Sequence, residues 1–149
     1  MVHPREFHTC EYTDLLKENE FLPLVEVSIF AGGSKTKITA LADTGCDPDL
    51  VITKSFLRSA KLGLTKKITK NPLEVRMADG SGVSADIYEA ICEVGAERKT
   101  MLIYVMDTPN TDDNNGTQVT PLLGREFFNA YDVLFKGKHR KLVFCHPKE

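Results

Sequence analysis

Apolar and polar positions alternate along most of this chain from Leu22 onward. Val25, Val27 and Ile29 fall on one side and Glu26 and Ser28 on the other, the period of two that marks a half-buried strand. Gly32-Gly33-Ser34 supplies a hairpin turn. Residues 35–42 return with Thr36, Ile38, Ala40 and Ala42 on one face and Lys35 and Lys37 on the other. Leu50-Val51-Ile52 is a short buried strand. Residues 54–62 read as a helix, with Thr53 as its N-cap and Gly63 as its C′ stop. Residues 73–78 form a strand that runs into Asp79-Gly80-Ser81-Gly82, a strong turn signal. Strands over 83–94 and 99–106 follow, linked by Gly95-Ala96-Glu97. Residues 119–123 are a further strand, and Gly124 starts a short helix that Asn129 or Ala130 ends. A last hairpin joins 131–135 to 141–144 around Lys136-Gly137-Lys138.

The first twenty residues are polar and mixed, with a short helix as a candidate over 12–19. They are read as an N-terminal tail or flank, and residues 21–149 as the domain. Many short strands with two short helices predict an all-β domain, a barrel or a sandwich. Residues 108–118 are the one polar stretch. Their oxygen side chains invite a calcium reading, but the terminal bidentate glutamate is missing at the required spacing, so a solvated surface loop is expected.

Composition narrows the function classes. The chain has 149 residues, 42% of them hydrophobic, enough for one domain with a real core. Its 19 basic and 21 acidic side chains leave a net charge of −2, no footprint for nucleic acid or an anionic membrane. No apolar run reaches the length of a membrane span, and the N-terminus has no signal-peptide core. A soluble protein of the cytoplasm is the expectation. Cys10, Cys46, Cys92 and Cys145 show no Cys-x-x-Cys spacing and read as free thiols in a reducing compartment. His3, His8 and Cys10 lack an evident fourth metal ligand, so neither a metal nor another cofactor is expected.

The chemistry concentrates at Asp43-Thr44-Gly45, directly after the apolar strand. An acid at a strand end, followed by a hydroxyl residue and a glycine, stands an aspartate on a tight loop with backbone exposed beside it. Three residues alone are a weak signal, so the context decides. A Gly-rich hairpin tip, Met77-Ala78-Asp79-Gly80-Ser81-Gly82, lies some thirty-five residues on. Near the C-terminus comes Leu122-Leu123-Gly124-Arg125.

Taken together, these three elements resemble the retropepsin family, the single-domain homodimeric aspartic peptidases of retroviruses and retrotransposons, over about residues 22–145. The hairpin looks closer to retrotransposon and cellular members than to the shorter viral enzymes. The resemblance implies an acid-protease barrel with a flap hairpin and one or two short helices. It also implies a homodimer in which Asp43 of each chain activates a water on a peptide substrate. Hydrolysis of an amide needs a base and an acid, and two carboxylates about 3 Å apart share one proton and supply both. Thr44 is implied to bond across to the partner loop. Gly45 admits the substrate backbone. Cys46 departs from the small Ala or Ser usual at its position and reads as a small buried side chain.

The resemblance further implies that Asp47 forms a buried ion pair with Arg125 after Gly124, and that Ala78, Asp79, Gly80, Ser81 and Gly82 form the flap tip. Leu50, Ile52, Met77, Val83 and Leu122 are candidate subsite walls, each equally readable as core. Residues 141–146 are the expected interface strand. Two competing readings remain: a catalytically silent retropepsin-fold dimer or peptide-binding module, and an unrelated small β-barrel in which Asp-Thr-Gly is only a turn.

Overall fold

The computed structural model describes residues 5–14, 17, 20–77, 79–107 and 120–147. In chain order the strands are β1 (Glu6–Glu11), β2 (Thr13–Asp14), β3 (Phe21–Leu22), β4 (Leu24–Ala31), β5 (Ser34–Ala42) and β6 (Leu50–Thr53). Helix α1 (Lys54–Ser59) follows, then β7 (Leu73–Arg76), β8 (Gly82–Val94), β9 (Glu97–Asp107) and β10 (Leu122–Leu123). Helix α2 (Arg125–Phe128), β11 (Asp132–Lys136), a 3-10 turn (Gly137–His139) and β12 (Lys141–Cys145) complete the described chain. The residues at 15, 16, 18, 19 and 78, and the polar loop with Val119, lie outside the described residues.

Six strands close on themselves in the order β4-β5-β10-β6-β9-β8, with β8 returning to β4 through Ile29 opposite Cys92. The fold is an all-β barrel, as the alternation predicts. Val25, Val27 and Ile29 are wholly buried, as are Leu50, Ile103 and Leu123. Each such side chain contributes about 1.5–3 kcal/mol by leaving water. The β4–β5 hairpin turns on Gly32 and Gly33, at φ 59° and 77°. Two positive φ values are what the tight turn between right-twisted strands demands.

Helix α1 starts as expected, with the Thr53 hydroxyl oxygen accepting the Phe56 amide at 3.0 Å. It ends sooner, capped by Ala60, and the left-handed residue after it is Lys61 rather than Gly63. Gly63 has another task. Its ideal Cβ would lie 3.2 Å from the Gly32 Cα, so its lack of a side chain lets the two backbones touch.

Beside the barrel lies a second sheet in the order β1-β12-β11. Its register pairs Cys10 with Leu142 and Leu142 with Phe135. Phe144 and Phe127, both wholly buried, join this sheet to the barrel core. The imidazole of His8 sits on the β8–β9 turn, where a Cβ on Gly95 would come within 2.7 Å of it. Thr13 and Asp14 of the candidate N-terminal helix are extended and paired with β3. Strand β12 is central, with both backbone edges engaged by its own chain. This overturns the expectation that residues 141–146 present an interface edge: β1 and β11 already occupy both sides.

Candidate active site

Asp43 is the first residue after β5, and its position is set by the neighbouring strand. β10 runs parallel to β5 and antiparallel to β6, pairing Leu123 with both Ala42 and Leu50. The Asp43 amide then donates to the Leu123 carbonyl at 2.9 Å. The carboxylate turns back to accept the Gly45 amide at 2.9 Å, and the Asp43 carbonyl accepts the Cys46 amide at 3.1 Å. The result is a tight loop with the acid half-buried and Thr44 and Gly45 exposed. Among the described residues, the Thr44 hydroxyl has no partner within its own chain.

The far side of this loop carries α2. Three successive amides donate to loop carbonyls: Gly124 to Asp49 at 2.9 Å, Arg125 to Cys46 at 2.7 Å and Glu126 to Asp47 at 2.9 Å. The N-terminal donors that a helix leaves unpaired are thereby satisfied by the Asp43 loop itself. The docking is so close that a Cβ on Gly124 would overlap the carbonyl oxygens of Pro48 and Cys46. The Arg125 guanidinium bonds the Asp47 carboxylate. This pair joins the two residues the sequence singles out, but it is exposed rather than buried, with side chains 53% and 76% accessible in the single chain.

Asp49 was not foreseen. Its carboxylate accepts the Leu102 amide at 3.0 Å and pins the loop to β9. Its only sequence signal is an acid in Asp-Pro-Asp beside the motif. The Cys46 thiol is pushed up to about 11, by burial first and by the Asp43 charge second, with Arg125 opposing. That leaves it protonated and a poor nucleophile at neutral pH.

A cleft of about 310 Å³ opens above the loop. Its floor is Asp43 and Gly45 to Pro48. Val51, Ile52, Thr53, Tyr104, Met106 and Leu122 line the walls, and Val75, Arg76 and Met77 of the β7–β8 hairpin form the roof. Met77 and Leu122 thus stand where the sequence reading sets them. Leu50 does not: it has no exposed surface and faces the barrel core, because Leu50 pairs with Leu123 deep in the sheet. Val83 is absent from the lining.

At the hairpin tip, Ser81 donates to the Asp79 carboxylate through its hydroxyl at 2.6 Å and its amide at 2.9 Å. These bonds hold the Asp79 carboxyl below its usual range. Gly80 takes φ 89°, and a Cβ on Gly82 would meet the side chain of Glu74, which is exposed and can swing aside. Ala78 lies outside the described residues. A larger hollow of about 460 Å³ surrounds residues 30–35, but its carboxylate, Glu89, is held by Lys66 at 3.0 Å. The Asp-Thr-Gly loop faces the smaller cleft. Among the described residues, no His, Cys, Asp or Glu cluster is arranged to hold a metal ion, and no helix is long and apolar enough to cross a membrane.

No protein-family model matches the chain, and no curated protein matches it. Among solved structures, the chain is similar to EIAV protease complexed with the inhibitor HBY-793. The TM-score is 0.51 at 19% identity, over 78% of this chain and 91% of that one. The fold is retropepsin-like. At that identity the likeness speaks for the fold, and the retropepsin-like barrel is what brings Asp43 and the β7–β8 hairpin to one cleft, with Gly124-Arg125 docked behind the Asp43 loop.

Proposed function

We propose that this chain is an aspartic endopeptidase working as a homodimer. The observation that carries the reading is Asp43 on an exposed, backbone-braced loop at the floor of an apolar cleft, beneath a glycine-containing hairpin. A two-fold axis beside that loop brings Asp43 of each chain together. One carboxylate is then ionised and the other protonated, because two such charges about 3 Å apart do not both persist.

The ionised Asp43 takes a proton from a water as its oxygen attacks the scissile carbonyl carbon. The protonated Asp43 gives its proton to the carbonyl oxygen, forming a neutral tetrahedral diol. Collapse of the diol breaks the carbon–nitrogen bond: the proton held by the first carboxylate passes to the leaving nitrogen, and a diol hydroxyl returns its proton to the second carboxylate as the new carboxyl carbonyl forms, which restores the singly protonated pair. The pair titrates as a unit, so activity peaks in mildly acidic conditions. Thr44, exposed and without a partner among the described residues of its own chain, donates to the partner's loop and keeps the two acids in register. Gly45 and the hairpin tip approach the substrate backbone, and closure of the hairpin excludes water. The apolar walls favour extended, largely apolar peptides.

The test is a mixed peptide library incubated with purified protein at acidic and neutral pH, beside Asp43→Asn. Cleavage that vanishes in the variant supports the reading. A stable dimer that cleaves nothing at any pH favours a silent peptide-binding module instead. A chain that stays monomeric at high concentration sinks the shared-site mechanism.

A further inference from the structure

The two-chain reading leaves open which surface joins the copies. Among the described residues β12 has no free edge, and β1 and β11 are the outer strands of the second sheet. They differ in regularity: β1 carries a bulge between Glu6 and His8, which breaks the even edge that a partner strand needs, whereas β11 runs in unbroken register. β11 reads Asp132-Val133-Leu134-Phe135-Lys136. Antiparallel pairing about Leu134 puts Asp132 opposite the partner's Lys136, Val133 opposite the partner's Phe135, and Leu134 opposite itself. Every cross-strand pair is then complementary, and each occurs twice except the central one.

The free chain leaves this strand unfinished in two respects. Leu134 and Phe135 are 51% and 42% exposed, adjacent large apolar side chains on an unpaired edge. Such an edge is a ready template for another strand. Lys136 also stands opposite Lys141 within its own chain, a like-charge pair with no acid in register to offset it. Asp132 is only loosely engaged, 3.7 Å from Arg5 on the surface. A second copy supplies an acid to each Lys136 and an apolar neighbour to each Leu134 and Phe135.

We propose that β11 is the edge through which two copies join, with Leu134 meeting the partner's Leu134 on the two-fold axis. Two three-stranded sheets become one continuous antiparallel sheet. This rests on the two-chain reading of the cleft, and it ties that cleft to the interface. The Phe135 ring packs 6.3 Å from Phe128 of α2, and the first amides of α2 are docked on the loop that follows Asp43. One short path of contacts therefore runs from the interface strand to the Asp43 loop.

The experiment is sedimentation across a concentration series for the full chain and three variants, with circular dichroism as the check on folding. Leu134→Asp, which sets two carboxylates against each other on the axis, shifts a folded chain to monomer. Asp132→Lys weakens association by about tenfold or more, since two like-charge pairs replace two opposite ones. Adding Lys136→Asp to Asp132→Lys exchanges the charges and restores association. That rescue separates an interface role from a folding defect. Unchanged association in Leu134→Asp, or no rescue in the exchanged variant, overturns the proposal. If association responds as expected but no peptide is cleaved, the interface stands and the peptidase reading falls.

Discussion

Gly124 lies against Pro48 with no room for a side chain between them: a Cβ there would also come 2.5 Å from the Cys46 carbonyl oxygen. Both obstacles are backbone, so neither can swing aside. Gly124→Ala must push α2 off the loop and weaken the bonds from Gly124 and Arg125 to Asp49 and Cys46. The expected cost is about 1–3 kcal/mol in chemical denaturation. Under the peptidase reading, kcat falls on the order of 100-fold, because a displacement of about 1 Å at Asp43 is enough. A variant with wild-type stability would show that the docking is looser than the geometry states.

The Asp47–Arg125 pair is open to water in the single chain. Arg125→Ala should therefore cost an isolated chain about 1 kcal/mol or less. Where two chains meet over the loop and exclude water, the stranded Asp47 carboxylate makes the same change cost about 3–5 kcal/mol. Denaturation below and above the association concentration measures both. Equal costs in the two regimes would mean that the pair stays solvated in the dimer.

Three thiols govern behaviour in base. Burial pushes Cys10 and Cys46 up to about 11 and Cys92 up to about 12, against an ordinary 9.0. The unfolded chain ionises first, so the folded state holds more protons in between. Stability is intact below pH 9 and declines as pH rises through 11 and 12. Thermal unfolding across that range checks the sign, and Cys92→Ala flattens part of the slope. Alkylation of Cys46 at neutral pH should be slow.

His8 works in the opposite direction. Burial lowers its pKa from the usual 6.5, with Glu26 partly opposing, and its buried Nε2 has no hydrogen-bond partner among the described residues. The unfolded chain takes up the proton first, so stability falls as pH drops below about 6.5. Hydrogen exchange should show β1 amides losing protection at pH 5 relative to pH 7.5, and His8→Phe should remove that difference. Acid-insensitive protection in the native chain would contradict the placement of His8 on Gly95.

Gly80 holds φ 89° at the hairpin tip with nothing packed against it. Gly80→Val has space but not the backbone freedom, a strain of about 1–2 kcal/mol that the exposed tip sheds by changing its turn. Global stability then falls by less than that strain, while KM for a peptide substrate rises. A large loss of stability would place the tip in the core instead.

The strands were legible wherever one face of the sheet meets water. Glu26 faces out between Val25 and Val27, and the period shows at a glance. β1 escaped notice because Glu6-Phe7-His8-Thr9-Cys10-Glu11 has weak alternation, and its order comes from β12, more than a hundred residues away. For Leu50 the sequence leaves wall and core equally open, because an apolar residue in a barrel strand reads alike toward the cleft and toward the core. The pairing of Asp47 with Arg125 is legible through the family resemblance, but its exposure in the single chain is not. The amides of Gly124 to Glu126, which carry the docking, were not, since backbone donors leave no trace in side-chain identity. The C′ glycine signal at Gly63 failed for a related reason: close approach and positive φ both select glycine, and the sequence does not distinguish them.

The position of β12 between β1 and β11 has a consequence for how the molecule comes into being. In a protein whose terminal strands pair only across subunits, a lone chain lacks part of its own sheet, and folding waits on encounter. Here Cys10, Leu142 and Phe135 complete their register within one chain. A single chain can therefore complete this sheet without a partner. Under the two-chain reading proposed above, a lone chain holds only one Asp43, so cleavage would rise with the square of concentration while copies are scarce.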